Sequence, residues 1–238
     1  MLRQRRFTDE RVTFVNAASF IARACQTRRR VSRPELSVQV SLRTNQVLAV
    51  VLLLLFSPLL FGIALFVWRN DGAPLLFGHY RVGKDGRLFK CWKFRTMRRD
   101  AEKILADVLQ RDDAARDEWT RDQKLVDDPR VTPLGRFLRK WSLDELPQLL
   151  NVVFGDMALV GPRPVTVAEL ARYGPVRWHY MSVAPGMTGL WQVSGRNDTT
   201  YAERVALDRR YVESRSLAGD VVILLMTIRV VLSRNGAR

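Results

Sequence analysis

Asp144 and Glu145 are adjacent carboxylates within Ser142-Leu-Asp-Glu-Leu-Pro-Gln148, and the basic pair Arg139 and Lys140 stands just before them. Two acids beside cations suit chemistry at phosphorus. An ionised, desolvated carboxylate can attack an electrophilic phosphorus and form an acyl phosphate. Its neighbour can hold Mg2+, which prefers oxygen ligands and uses one or two protein carboxylates beside substrate phosphates. Arg139 and Lys140 would help to keep the dyad ionised. The same residues also read as an ordinary helix start. Ser142 would be the N-cap, Glu145 would reach back to its amide, and Trp141 and Leu146 would staple the turn. Asp144 in a first turn suits the helix dipole. Pro147 does not fit a regular helix there, because its ring meets the Leu143 carbonyl.

Other cations stand where a phosphate could meet them. Lys93 and Arg95 are two residues apart, so on a strand they share a face and could grip a diphosphate; a solvated basic edge is the alternative. Gly161-Pro-Arg-Pro164 holds Arg163 between two prolines, which lowers the entropy cost of presenting its guanidinium, although a surface turn reads the same way. Gly195-Arg-Asn197 places Arg196 in a glycine-led loop. Asp208, near Arg209 and Arg210, reads on its own as a surface ion-pair partner. No P-loop, dinucleotide fingerprint or catalytic triad is present. With two histidines and two distant cysteines, Cys25 and Cys91, neither a zinc site nor a disulfide framework is indicated, and a reducing cytoplasmic setting is the default.

The elements that must position these residues follow from periodicity and turn signals. Leu75 to Tyr80 and Leu88 to Trp92 read as strands around the turn Gly83-Lys-Asp-Gly86. Asp100 to Leu109, Asp113 to Lys124, Pro133 to Lys140, Leu143 to Phe154 and Tyr201 to Ser214 read as helices. Asp127-Asp-Pro129 is a turn. Pro185 to Gly189 reads as a loop, and Leu190 to Val193 as a short strand. The predicted class is α+β, dominated by helices, with residues 69–238 forming one domain.

Val47 to Trp68 is nearly all apolar and uncharged. As a helix it would reach roughly 33 Å, enough to span a bilayer. Ser57-Pro58 lies at its midpoint, where the proline removes an amide and a serine can bond to the freed carbonyl. Both flanks are basic, with Arg43 and Arg28-Arg-Arg30 upstream and Arg69, Arg81 and Lys84 downstream, so neither suits translocation. A kinked helix that enters and leaves the same leaflet satisfies both. Residues 1–46 hold ten arginines against three acids and form a basic arm, a disordered tail or, over Val12 to Ala24, an amphipathic helix on lipid. The arm lacks the apolar run of a signal peptide. Val221 to Leu232 is too short to span and reads as a helix buried in the domain or lying at an interface.

The formal net charge of +15 attracts polyanions. A membrane-tethered binder of nucleic acid or anionic lipid is therefore an alternative to an enzyme. Its basic residues, however, are scattered among tight turns rather than gathered on one helix or sheet, and no nucleic-acid partner is expected.

Taken in order, LLFSPLL, FKCWKFRTM, LRKWSLDELPQLLNVVFGDMALVGPRPV and PGMTGLWQVSGRND resemble the bacterial sugar transferase family, the monotopic phosphoglycosyl transferases. The resemblance covers roughly residues 45–235 and leaves out the arm. Its short architecture is most similar to members that begin exopolysaccharide repeats; larger members carry extra spanning helices upstream. The resemblance implies transfer of galactose phosphate or glucose phosphate from a UDP-sugar to undecaprenyl phosphate, with release of UMP. It makes Asp144 the nucleophile, with Glu145 supporting it and helping to hold Mg2+. Lys93, Arg139 and Asp208 fall at positions that the family uses in its active site, and Arg95, Arg163 and Arg196 are candidates for phosphate or nucleotide contacts. Ser57 and Pro58 match the family's helix-breaking pair, over a membrane segment at 47–68. The implied setting is the cytoplasmic face of a bacterial inner membrane, with downstream glycosyltransferases as partners.

Overall fold

The apolar run folds as the middle of a longer helix, α1 (Glu35–Asp71). The computed structural model describes residues 35–122, 125–195 and 199–233. The basic arm up to residue 34, including Val12 to Ala24, lies outside them. Within α1, Leu42–Asp71 is long and apolar enough to cross a membrane, with a mean hydropathy of 2.8. The helix is not interrupted at Pro58. Pro58 has no amide to give the Leu54 carbonyl, and the Ser57 hydroxyl donates to that carbonyl at 2.8 Å instead. At the far end Gly72, at φ 64°, closes the helix by donating its amide to the Trp68 carbonyl at 2.8 Å.

One stripe of α1 is packed along the domain. Ala49, Leu52, Leu53 and Phe56 join a core of Phe89, Leu149, Val152 and Met157. Beyond Pro58, Leu60, Ile63, Ala64 and Val67 join Phe94 and Leu138. Three- and four-residue spacing puts these side chains on one face. The opposite face is bare: Leu54 is 70% and Phe61 72% exposed. Polar ties fix the upstream end. Asn45 accepts from the Leu159 amide at 2.8 Å, and Gln46 donates to the Val153 carbonyl at 2.9 Å.

The predicted hairpin is present as β1 (Leu76–Val82) and β2 (Leu88–Phe94), antiparallel around a tight turn in which Asp85 and Gly86 take positive φ. Asn151, buried on α5 (Gln148–Val153), closes the free edge of β2. Its carbonyl accepts from the Trp92 amide at 3.0 Å, and its amide donates to the Lys90 carbonyl at 2.7 Å. The hairpin is thereby bolted to the segment that follows the acidic dyad.

α2 (Ala101–Arg111) and α3 (Asp113–Asp122) pack on each other, and no residue of α2 is buried. α4 (Pro133–Lys140) starts at Thr132, whose hydroxyl accepts from the Gly135 amide at 2.9 Å. β3 (Ala158–Val160) and β4 (Gly186–Thr188) form a parallel pair. α6 (Val167–Ala171) and α7 (Arg177–Met181) lie between them in sequence.

β4 corrects one expectation, since Pro185 to Gly189 contains a strand rather than only a loop. Its partner lies 28 residues upstream, and glycine has little β propensity of its own, so no local signal marks the pairing. Leu190–Val193 is a helical turn, α8, rather than a strand. Four apolar-rich residues do not distinguish the two periods. α9 (Tyr201–Ser214) has the predicted bounds. α10 (Leu217–Ser233) contains the second apolar segment, and only Ile223 of it is buried. Leu217, Val221 and Leu225 are more than half exposed, which selects the surface-lying alternative over the buried one.

Candidate active site

The acidic dyad sits on a 3-10 turn, Leu143–Glu145, not in the first turn of an α-helix. The expected capping box is absent. Ser142 takes a left-handed conformation, φ 55°, and its side chain caps nothing. An N-cap needs extended backbone to aim its hydroxyl at the third amide, so this geometry removes the cap. Pro147 forces the break, and α5 begins only at Gln148. Leu143 and Leu146, on either side of the acids, pack into the cluster made by Ile63, Val67, Phe94 and Leu138. The turn therefore shares one apolar cluster with α1, β2 and α4.

Asp144 is buried and Glu145 half-buried. Glu145 Oε1 accepts from Lys93 Nζ at 2.5 Å, with Arg163 Nη1 at 3.9 Å. Burial pushes the Asp144 carboxyl above the usual range; Lys93 pulls it down, Glu145 adds to the rise and Arg139 opposes it. The expected help from Arg139 is present and is outweighed. Arg139 is held by donating from Nε to the Thr96 hydroxyl at 2.9 Å.

Arg163 is presented by a backbone lock. The Gly161 amide donates to the Thr188 carbonyl, and the Gly186 amide to the Pro162 carbonyl, each at 2.8 Å. The guanidinium stands over Trp191 at 5.8 Å.

Asp208 corrects a second expectation. It is 2% exposed, not a surface residue, and Arg209 pairs with Glu213 instead. Asp208 Oδ2 accepts from the Tyr173 hydroxyl at 2.7 Å. Burial pushes its carboxyl up to about 6, against the Tyr173 hydroxyl, Arg204 and Arg163. The folded value lies above the ordinary 3.8, so stability is fully present below 3.8 and is lost as pH rises through about 6. That loss is on the order of 3 kcal/mol. Asp208→Asn keeps an acceptor for Tyr173 and removes the charge. Its melting temperature should exceed the wild type's well above pH ~6, and the gap should close in acid. A constant gap across that range would contradict the assignment.

Arg95 does not join the site. Its amide still donates to the Leu75 carbonyl at 2.9 Å beside β1, but its side chain parts from that of Lys93, which pairs with Glu145. Arg95 is buried and donates from Nη2 to the Asp71 and Gly72 carbonyls at 2.9 and 2.6 Å, holding the end of α1. Arg196 lies outside the described residues. Ser57 and Pro58 lie within α1, remote in sequence from the dyad.

The structure adds residues that sequence reasoning missed. Arg81 donates to Glu169 at 2.9 Å, and Arg204 Nη1 lies 3.8 Å from the same carboxylate. Against burial, the Thr166 amide and then Arg81 and Arg204 hold Glu169 below the usual range. The Thr166-x-x-Glu169 capping box was a local signal for this acid. Nothing local links Arg81 or Arg204 to it. Among the described residues no group of three or more metal-ligating side chains occurs. Asp144 and Glu145 offer a pair of hard oxygen ligands within the site.

Residues 39–234 match the family described as bacterial sugar transferase. The chain is 51% identical over 194 residues to an undecaprenyl-phosphate galactose phosphotransferase of Salmonella typhimurium, a match covering 80% of this chain and 40% of that protein. It is 56% identical over 191 residues to a UDP-galactose-lipid carrier transferase of Erwinia amylovora, covering 80% of this chain and 39% of the relative. The chain thus spans about two fifths of those relatives. It is 48% identical over 196 residues to the exopolysaccharide production protein ExoY of Rhizobium meliloti, covering 82% and 87% of the two chains. With residues 39–234 matched by the family, this chain belongs to the bacterial sugar transferase family.

Proposed function

We propose that the protein transfers a hexose 1-phosphate, galactose or glucose, from a UDP-sugar to undecaprenyl phosphate as the first membrane step of exopolysaccharide synthesis. Relatives at about half identity carry names for this transfer. The observation that carries the reading is the seat of the dyad. Leu143 and Leu146, which flank the acids, pack against a cluster that the apolar helix helps to form, and Lys93, Arg139 and Arg163 are disposed around the acids.

An oxygen of ionised Asp144 attacks the sugar-bearing phosphorus. The bond from that phosphorus to the bridging oxygen breaks, and UMP leaves with the oxygen. A phosphate oxygen of undecaprenyl phosphate then attacks the phosphorus of the phosphosugar–aspartyl acyl phosphate, the bond from phosphorus to the aspartyl oxygen breaks, and the carboxylate is freed. One phosphoanhydride replaces another, so the enzyme's work is positioning and charge compensation. Lys93 and Arg163 hold Glu145 beside the nucleophile and face the diphosphate. The two carboxylates fit Mg2+, which needs few protein ligands when phosphate oxygens fill the rest; bound there, it would neutralise the diphosphate charge. A desolvated Asp144, raised above its ordinary range, is a carboxylate that a cation would keep ionised.

A re-entrant membrane helix is supported by the ties at its two ends. Asn45 and Gln46 hold one end, and Arg95 the other, to the same domain. Both ends then belong on one side of the bilayer, the cytoplasmic side, where UDP-sugars and later glycosyltransferases are found. The acceptor phosphate would meet the dyad at headgroup level while its prenyl tail stays in lipid.

The test is a rapid-mixing measurement of UMP. UDP-hexose and Mg2+ without acceptor should release about one UMP per enzyme, and added polyprenyl phosphate should start steady turnover. Turnover without any acceptor-independent burst would remove the covalent step.

A further inference from the structure

Two buried side chains behind Arg163 carry polar atoms without partners. Arg204 is 9% exposed, and its Nε and Nη2 are buried with no hydrogen bond. Those atoms form one edge of the guanidinium, a planar two-pronged donor. Its remaining nitrogen leans toward Glu169, and Trp191 and Tyr201 lie against its face at 4.6 and 5.6 Å. One helical turn on, Asp208 gives Oδ2 to Tyr173 and leaves Oδ1 buried and unpartnered. Residues four apart on α9 share a face. Leaving charged groups unpaired in the interior is costly, so this set is built for something that fills it.

The donor and acceptor pattern selects the ligand chemistry. A phosphate offers acceptors to the fork but no proton to Asp208, and its charge opposes the carboxylate. An ammonium offers protons but no acceptor. Adjacent hydroxyls offer both, accepting from Arg204 and donating to Asp208. The location narrows the choice further. Arg163 reaches toward Glu145 with Nη1 at 3.9 Å, and its charge also acts on Asp208. The set therefore lies one arginine away from the dyad, where the group carried by the attacked phosphorus must sit.

We propose that Arg204 and Asp208 form the subsite that reads a vicinal hydroxyl pair of the transferred hexose. This rests on the reaction given above and goes beyond it by naming residues that recognise the sugar.

The test is a kinetic cycle on the full chain, in its membrane or in detergent. kcat/KM for UMP release is measured for wild type and Arg204→Lys, with UDP-hexose and with donors lacking one hexose hydroxyl. For wild type, removing one hydroxyl of the recognised pair should lower kcat/KM about tenfold to a hundredfold. Arg204→Lys keeps the charge and loses the fork, so the intact donor should fall by a similar factor and the deoxy penalty should disappear. Its affinity for UDP, which has no hexose, should be unchanged by calorimetry, a result that also reports a folded site. If Arg204→Lys does not fold, Tyr173→Phe serves the same cycle. It frees Oδ2 of Asp208 and should shrink the same penalty. Equal deoxy penalties in variant and wild type would overturn the subsite and leave the buried groups to water. A variant that loses UDP affinity, together with a penalty for a donor lacking the ribose hydroxyl, would move the contact to ribose and overturn it as a hexose site. A wild type that releases no UMP from any UDP-hexose fails earlier, on the reaction itself.

Discussion

Asp144→Asn should lower UMP release roughly 10^4-fold or more, with no loss of thermal stability. The carboxamide keeps the shape of the side chain and removes the nucleophilic oxygen pair. Burial already pushes the Asp144 carboxyl upward, so the ionised group costs the folded state something that the amide does not. Activity and stability should therefore separate, which a general folding defect would not produce. The same shift bears on the wild type. Its folded value is raised, so the protonated, inactive form persists to a higher pH than for an ordinary aspartate. The acid limb of kcat/KM should lie on that higher side. An Asp144→Asn enzyme with normal turnover would sink the nucleophile assignment.

Gly186→Ala should be among the more damaging small substitutions in the described residues, at ~3 kcal/mol or more. An added Cβ would run into the backbone of Gly161 and Thr188, and backbone cannot rotate away as a side chain can. A Cβ on Gly189 would meet the Gly161 carbonyl in the same way. These three glycines let Gly161-Pro-Arg-Pro164 lie against β4, which is how Arg163 reaches Glu145. Loss of folded protein is expected in thermal melts; any folded fraction should release UMP more slowly, because Arg163 is displaced. Gly62→Ala, whose Cβ would meet nothing, is the control and should behave as wild type in both measurements. An unaltered melt for Gly186→Ala would refute the close packing.

The hairpin and α9 were legible because each carries a complete local signal. Gly83-Lys-Asp-Gly86 sits between two apolar runs, and Thr200 opens the periodic stretch Tyr201–Ser214 with its own capping box. The dyad stood out as a candidate by residue type and was misleading as structure. Ser142 has the residue type of a cap, yet a left-handed backbone withholds it. Backbone handedness at a single serine leaves no trace in residue types. Arg95 shows a related limit. Alternation on a strand places it beside Lys93, but the carbonyls at the end of α1, more than twenty residues upstream, take its guanidinium instead. Arg81, Glu169 and Arg204 are ordinary charges along the chain, and they meet only after the hairpin, α6 and α9 are assembled. The burial of Asp208 left no local trace, because its partner Tyr173 is 35 residues away.

α1 carries one consequence for anyone wishing to handle this protein in water. Its inner stripe supplies Ile63 and Val67 to the cluster that Leu143 and Leu146 pack against, and Val67 is fully buried. A mere tether could be cut without harm to the domain; cutting this helix would take away part of the core beside the candidate nucleophile. A water-soluble version would have to repaint the outer face, at Leu54, Phe61 and Phe66, and leave the inner stripe untouched.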